Sequence, residues 1–169
     1  MANSAWHDNP KVQKGEYGEY LVSRYLENQG CVMYAPVTDK AHGFDLIAYR
    51  NGRYFAVEVK TKTMLRKYPE TGFSEFLFQR YQRLCNETNL PLLVAFVDEG
   101  LGAMYGNYLH ELNKPVFYHG SYYPKVIPHK NSEETRYFPK CHMRLFRNLT
   151  PHEINFLKSK TEQIVRSTA

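Results

Sequence analysis

The stretch GFDLIAYRNGRYFAVEVK, residues 43–60, decides the fold. Two apolar, aromatic-rich runs flank an Asn51-Gly52 pair, the strongest short-range signal for a β-hairpin, because these residues accept positive φ. A two-residue loop sets Arg50 opposite Arg53 and fixes every later pair, so that Asp45 stands across from Glu58. Direct cross-strand partners have Cβ atoms roughly 4.5–5.5 Å apart. Two carboxylates that close repel each other unless a proton or a cation lies between them. The register therefore predicts a raised carboxylate pKa or a hard divalent cation such as Mg²⁺. Side chains alternate faces along a strand. Phe44, Leu46, Ala48, Phe55, Val57 and Val59 form a core face. Asp45, Ile47, Tyr49, Tyr54, Ala56, Glu58 and Lys60 form the other, with both acids and the lysine at the end away from the turn. A bulge would shift the register by one and send Asp45 to the opposite face.

Around the hairpin, the pattern reads as one α/β domain over residues 1–169, with a core at about 14–112 and an extension over about 113–169. Lys14 to Gln29 is expected to be a helix, with Tyr17, Leu21, Val22, Tyr25 and Leu26 on one stripe and Gly30 as its stop. Glu19 borders that stripe and Glu16 points away, so Glu19 either reaches inward or stays a surface acid. Cys31 to Val37 reads as a short strand, Thr38 to Gly43 as a polar loop, and Lys60 to Gly72 as a basic loop. Ser74 is placed to cap a helix through Thr88. Leu92 to Asp98 is a buried strand, and Met104 to Leu112 a further candidate. Residues 113–135 look like an extended or looped insertion, with a strand candidate at Tyr137 to Phe146. Thr150, Pro151 and Glu153 form a capping box for a last helix.

Bulk properties narrow the classes. Hydrophobic residues make up 43% and charged residues 23%, so the chain folds. A net charge of +5 permits a polyanionic partner. Cys31, Cys85 and Cys141 form no C-x-x-C pair, and the seven histidines show no ligand spacing. Zinc and a disulfide framework are not expected, and reduced thiols fit the cytoplasm. No apolar run suggests a membrane span or a signal peptide, and no glycine-rich phosphate loop is present. Tyr105, Tyr108, Tyr118, Tyr122 and Tyr123 are either base-stacking platforms or half-buried sheet and loop residues.

Gly18-Glu19, Tyr25-Leu26, Gly30, Asp45-Leu46-Ile47 and Val57-Glu58-Val59-Lys60-Thr61 together resemble the nuclease core of the PD-(D/E)XK superfamily over about residues 14–97. Within it the pattern is most similar to archaeal Holliday-junction resolvases and a group of bacterial endonuclease-like proteins. The resemblance implies a restriction-endonuclease-like fold, a central mixed β-sheet flanked by helices, and Mg²⁺ (or Mn²⁺) as cofactor. It implies Asp45, Glu58 and the backbone carbonyl of Val59 as metal ligands, with Glu19 as an outer or additional one. Lys60 would orient the attacking water, and Gln79 or Gln82 would support the ligands. The resolvases carry a serine in the loop before the aspartate, where this chain offers only Thr38.

Phosphodiester hydrolysis needs an activated water and a clamp for developing negative charge, which a carboxylate-held Mg²⁺ and a lysine supply. Lys40, Lys62, Arg66 and Lys67 would track a nucleic-acid backbone. The expectation is a Mg²⁺-dependent DNA endonuclease for branched or junction DNA in recombination or repair, acting as a homodimer where two strands are cut symmetrically. The alternatives are a DNA-binding module with weak or lost catalysis on the same fold, and a restriction-type or mobile-element nuclease.

Overall fold

Asn51 and Gly52 take φ values of 52° and 78° and close the hairpin as a type I′ turn. Strands β2 (Leu46–Arg50) and β3 (Arg53–Lys62) pair in the expected register, from Arg50 with Arg53 to Leu46 with Val57. The computed structural model describes residues 8–35, 43–62, 70–129 and 133–168. The predicted nucleic-acid contacts Lys40, Arg66 and Lys67, and Thr38, lie outside the described residues.

The hairpin is the middle of a six-stranded mixed sheet ordered β1-β2-β3-β5-β6-β11. The added strands are β1 (Val32–Tyr34), β5 (Leu92–Asp98), β6 (Ala103–Tyr108) and β11 (Arg144–Asn148). Only β3 and β5 run parallel. Every residue of β5 is buried, as its unbroken apolar run requires of a strand covered on both sides.

Helix α1 (Pro10–Asn28) and helix α4 (Pro151–Thr168) cover one face. Leu21, Val22 and Leu26 of α1 and Leu157 of α4 join Leu46, Val57, Val59, Ala95 and Val97 in an aliphatic core. α1 begins earlier than Lys14 because Asn9 caps it, accepting from Lys11 N at 2.9 Å, with Pro10 in the first turn. The capping box of α4 forms as read: Glu153 N donates to Thr150 Oγ1 at 3.3 Å and Thr150 N to Glu153 at 2.7 Å.

The opposite face is not open. Helix α2 (Glu75–Thr88) lies over it together with a second sheet, β4-β10-β9, made of β4 (Glu70–Ser74), β9 (Lys125–Pro128) and β10 (Glu134–Pro139). Phe73, Phe78, Tyr81, Phe96 and Phe138 fill the space between them. Four sequence expectations change here. The segment ending at Gly72 is not all loop, since β3 runs to Lys62 and β4 starts at Glu70. The described part of the insertion at 113–135 supplies a hairpin of β7 (Val116–Tyr118) and β8 (Ser121–Tyr123), then β9. The candidate at 104–112 divides into β6 and a short helix α3 (Leu109–Leu112). That at 137–146 divides into β10, a 3₁₀ turn (Lys140–His142) and β11.

Candidate functional site

Glu58 and Lys60 alternate onto the α2 side of β3, and Tyr81 of α2 reaches down to them. Glu58 is 4% exposed. Its Oε1 accepts from the Tyr81 hydroxyl and from Lys60 Nζ, and Lys60 Nζ also lies 3.3 Å from the Tyr81 oxygen. Lys60 sits 5.6 Å from the Tyr81 ring centroid and 6.0 Å from that of Phe73. Burial pushes the Glu58 carboxyl above its usual range, Lys60 pulls it back, and Asp45 adds to the rise. Burial and the Glu58 charge hold the Tyr81 phenol far above its ordinary value, so it remains a donor.

Asp45 departs from the expected pairing. The described ladder ends at Leu46 with Val57, and Asp45 sits in a bend just before β2. Its Oδ2 accepts from Val59 N at 2.7 Å. The carboxylate therefore leaves a strict face-to-face pair with Glu58 and takes a backbone donor of β3 where β2 ends. It still reaches the same end of the hairpin as the Glu58 carboxylate, whose pKa it helps to raise.

Glu19 arrives from α1. The helix crosses β3 at Gly18, where an added Cβ would lie 2.3 Å from Thr61 Cγ2 and 3.5 Å from Val59 Cγ1. That close crossing carries Glu19 to the acids. Its carboxyl is pushed up to about 7 by burial first, then by the charges of Asp45 and Glu58. Glu16 is exposed, as the spacing predicted.

Gln79 is not part of this cluster. Its amide donates to Glu75 at 3.2 Å, and Glu75 is gripped by Arg136 of β10 at 2.6 and 2.9 Å. Gln82 is exposed. The residue of α2 that supports Glu58 is Tyr81, and neither glutamine. Lys62 follows Lys60 on the same face, and burial and the Lys60 charge lower its ammonium pKa to about 8.

Among the described residues, no three His, Cys, Asp or Glu side chains close to metal-holding distance. The donor set nonetheless suits a hard divalent cation. Three carboxylates, two of them with raised pKa, gather near one lysine, and the hydrogen bonds among the described residues occupy Oδ2 of Asp45 and Oε1 of Glu58. A cation there would offset both the burial that first raises Glu19 and Glu58 and the repulsion among the acids that adds to it. Among the described residues, no helix is long and apolar enough to cross a membrane.

No protein-family profile matches the chain, and no curated protein sequence matches it. Among solved structures the chain is similar to Hjc, a Holliday junction resolvase from the archaeal hyperthermophile Archaeoglobus fulgidus. The two are 14% identical, the match covers 76% of this chain and 86% of that chain, and the TM-score is 0.49.

Proposed function

We propose that the chain is a Mg²⁺-dependent endonuclease that hydrolyses DNA phosphodiester bonds, with branched DNA as its substrate and a homodimer as the form that cuts two strands. The observation that carries this reading is the meeting of Asp45, Glu58 and Lys60 at one hairpin end, with Glu19 brought to them by α1. In this reading Asp45, Glu58 and the Val59 carbonyl hold the metal, and Glu19 adds a further oxygen. When bound, Mg²⁺ supplies Lewis-acid activation of water and neutralises charge on the phosphate.

The chain's own residues do the rest. Lys60 turns from Glu58 to the phosphate and donates where negative charge develops. Tyr81 keeps its bond to Glu58 and fixes that carboxylate while Lys60 moves. Glu19, with its pKa near 7, can hold or release a proton at its carboxyl at neutral pH.

A second reading, a DNA-binding module without turnover, is favoured by one observation: Glu58 is already engaged by Lys60 and Tyr81. Labelled duplex, single-stranded, flapped and four-way DNA, each incubated with Mg²⁺, Ca²⁺ or EDTA, decides between them. The nuclease reading expects cutting of branched DNA with Mg²⁺ or Mn²⁺, binding without cutting in Ca²⁺, and none in EDTA. Binding without cutting in Mg²⁺ establishes the second reading. Cleavage that persists in EDTA overturns the metal assignment.

A further inference from the structure

A cleft of about 520 Å³ opens beside Lys60, between the end of β3 and the second sheet. Lys60 and Lys62 come from β3, Lys11 from α1, and Lys140 from the 3₁₀ turn after β10; Tyr137 and Thr135 line the wall. The register of the second sheet explains that wall. Tyr137 pairs with Gly72 and Thr135 with Ser74, so these four share one face, while Arg136 and Phe138 turn to α2. At Gly72 an added Cβ would lie 2.1 Å from the Arg136 carbonyl oxygen, so β4 and β10 approach too closely there to admit a side chain.

The charges in the cleft do not cancel. Asp98 is consumed by the Tyr105 hydroxyl at 2.9 Å and by the N–H groups of Gly100 and Leu101 at 3.0 and 2.9 Å. Glu70 is held by Lys125 at 2.7 Å and by the Tyr123 hydroxyl. Glu133 stands exposed at the rim. Lys60 has Glu58, but among the described residues no carboxylate pairs with Lys62, whose lowered pKa reflects burial beside a second lysine. Four lysines line the cleft against three carboxylates, and Asp98, the ladder partner of Lys62, already has its oxygens turned to other donors, so the balance favours an anion; the volume falls within the roughly 300–1,000 Å³ of small-ligand sites.

We propose that this cleft is a subsite for one unpaired nucleotide of the DNA, with its phosphate on Lys62 and Lys140 and its base against Tyr137. The proposal rests on the nuclease reading for the choice of DNA and deepens it. The strand leaving the cut site has a place to go only where it is unpaired, so substrates need a single-stranded end, flap or branch. Stacking on one aromatic is sequence-tolerant, so the subsite reads strandedness and not base identity.

Fluorescence anisotropy in EDTA tests it without turnover, using a short oligothymidylate with a 5′-phosphate, the same strand with a 5′-hydroxyl, and a blunt duplex. Single strands are expected to bind more tightly than the duplex, and Lys62→Met to weaken them about tenfold or more, the scale of one charge-assisted bond. Lys158→Met, an exposed change on α4, is the control and should leave binding unaltered. A preference for the 5′-phosphate identifies a strand end, and equal binding an internal phosphate; either supports the subsite. Lys140→Met provides a second reading if Lys62→Met fails to melt cooperatively.

Undiminished binding by both variants, equal affinity for duplex and single strand, or equally tight binding of polyglutamate overturns the proposal. The two readings separate cleanly. Lys62-dependent strand binding without cutting keeps the subsite and loses the nuclease. Cutting with Lys62-independent binding does the reverse.

Discussion

Two lysine–glutamate–hydroxyl sets lie buried on opposite sides of the central sheet, and only one of them belongs to the candidate site. On the α1 side, Lys14 pairs with Glu99 at 3.0 Å, and Thr161 bridges the two, accepting from Lys14 at 2.7 Å and donating to Glu99 at 2.8 Å. That set ties α1, the β5–β6 turn and α4 together through a buried lysine–glutamate pair. On the α2 side, Lys60, Glu58 and Tyr81 make the same chemical set, but Asp45 and Glu19 bring further negative charge to it. Buried ion pairs of the first kind hold geometry and add little net stability over apolar replacements, yet breaking one leaves an uncompensated charge. Excess charge in the second set leaves it short of a cation, and that shortage separates a site from a brace.

The sharpest break of this comparison is in activity. Asp45→Ala or Glu58→Ala is expected to reduce Mg²⁺-dependent cutting by about 10³-fold or more, as removal of a group that stabilises the transition state does. Each variant should remain folded, since the hydrogen bonds lost are offset in part by the repulsion relieved among the acids. Cutting that survives both substitutions places the active site elsewhere.

Glu99→Ala should do the opposite. It removes the carboxylate that Lys14 and Thr161 share, so urea unfolding is expected to show a loss of about 1–3 kcal/mol, while the folded fraction cuts at the wild-type rate. Unchanged stability would dissolve the distinction between the two sets.

Tyr81→Phe removes one hydrogen bond from Glu58 and leaves the packing of the ring. A rate lower by about tenfold with unchanged DNA affinity is expected, the scale of a bond to a charged group. A fall in affinity alone would mean that Tyr81 contacts DNA and does not position Glu58.

The smallest effect is a pH dependence. Glu19 titrates near 7 in the folded chain and at the ordinary carboxylate value when unfolded. Between those values the folded state holds the extra proton, so its stability should fall as pH rises through about 7. Glu19→Gln should flatten that slope in metal-free thermal melts, and Mg²⁺ should suppress it in the wild type. A slope unaltered in Glu19→Gln would remove Glu19 from the cluster.

The parts of this site that were legible in sequence are the local ones. Asn51-Gly52 states its turn in two letters, and period-two alternation carries Glu58 and Lys60 to one face. Helical spacing separates Glu19 from Glu16 for the same reason. Asp45 was legible in place but not in partner, because the register counts residues and does not say where a ladder ends. Asn9-Pro10 was a helix start available to be read; the polar residues around it obscured it. Tyr81 was hidden for a physical reason: its ring packs as an apolar residue while its hydroxyl bonds an acid 23 positions away. Gln79 has an amide suited to the supporting role, but Arg136 holds Glu75, and Glu75 holds Gln79. The second sheet was equally hidden. Its strands alternate Thr, Tyr, Lys and Arg whose partners come from distant segments, so no apolar rhythm announces them.

Gly18 gives the arrangement a consequence of its own. Helix α1 and strand β3 touch where residue 18 has no side chain, and even a methyl group there would force Thr61 to rotate or the helix to lift. Glu19 is the next residue. The clearance between two backbones therefore works as a spacer gauge for the third carboxylate. A single carbon added at position 18 would retune the proton affinity of Glu19 without touching any acid, so the charge of the site is set partly by an atom that is absent.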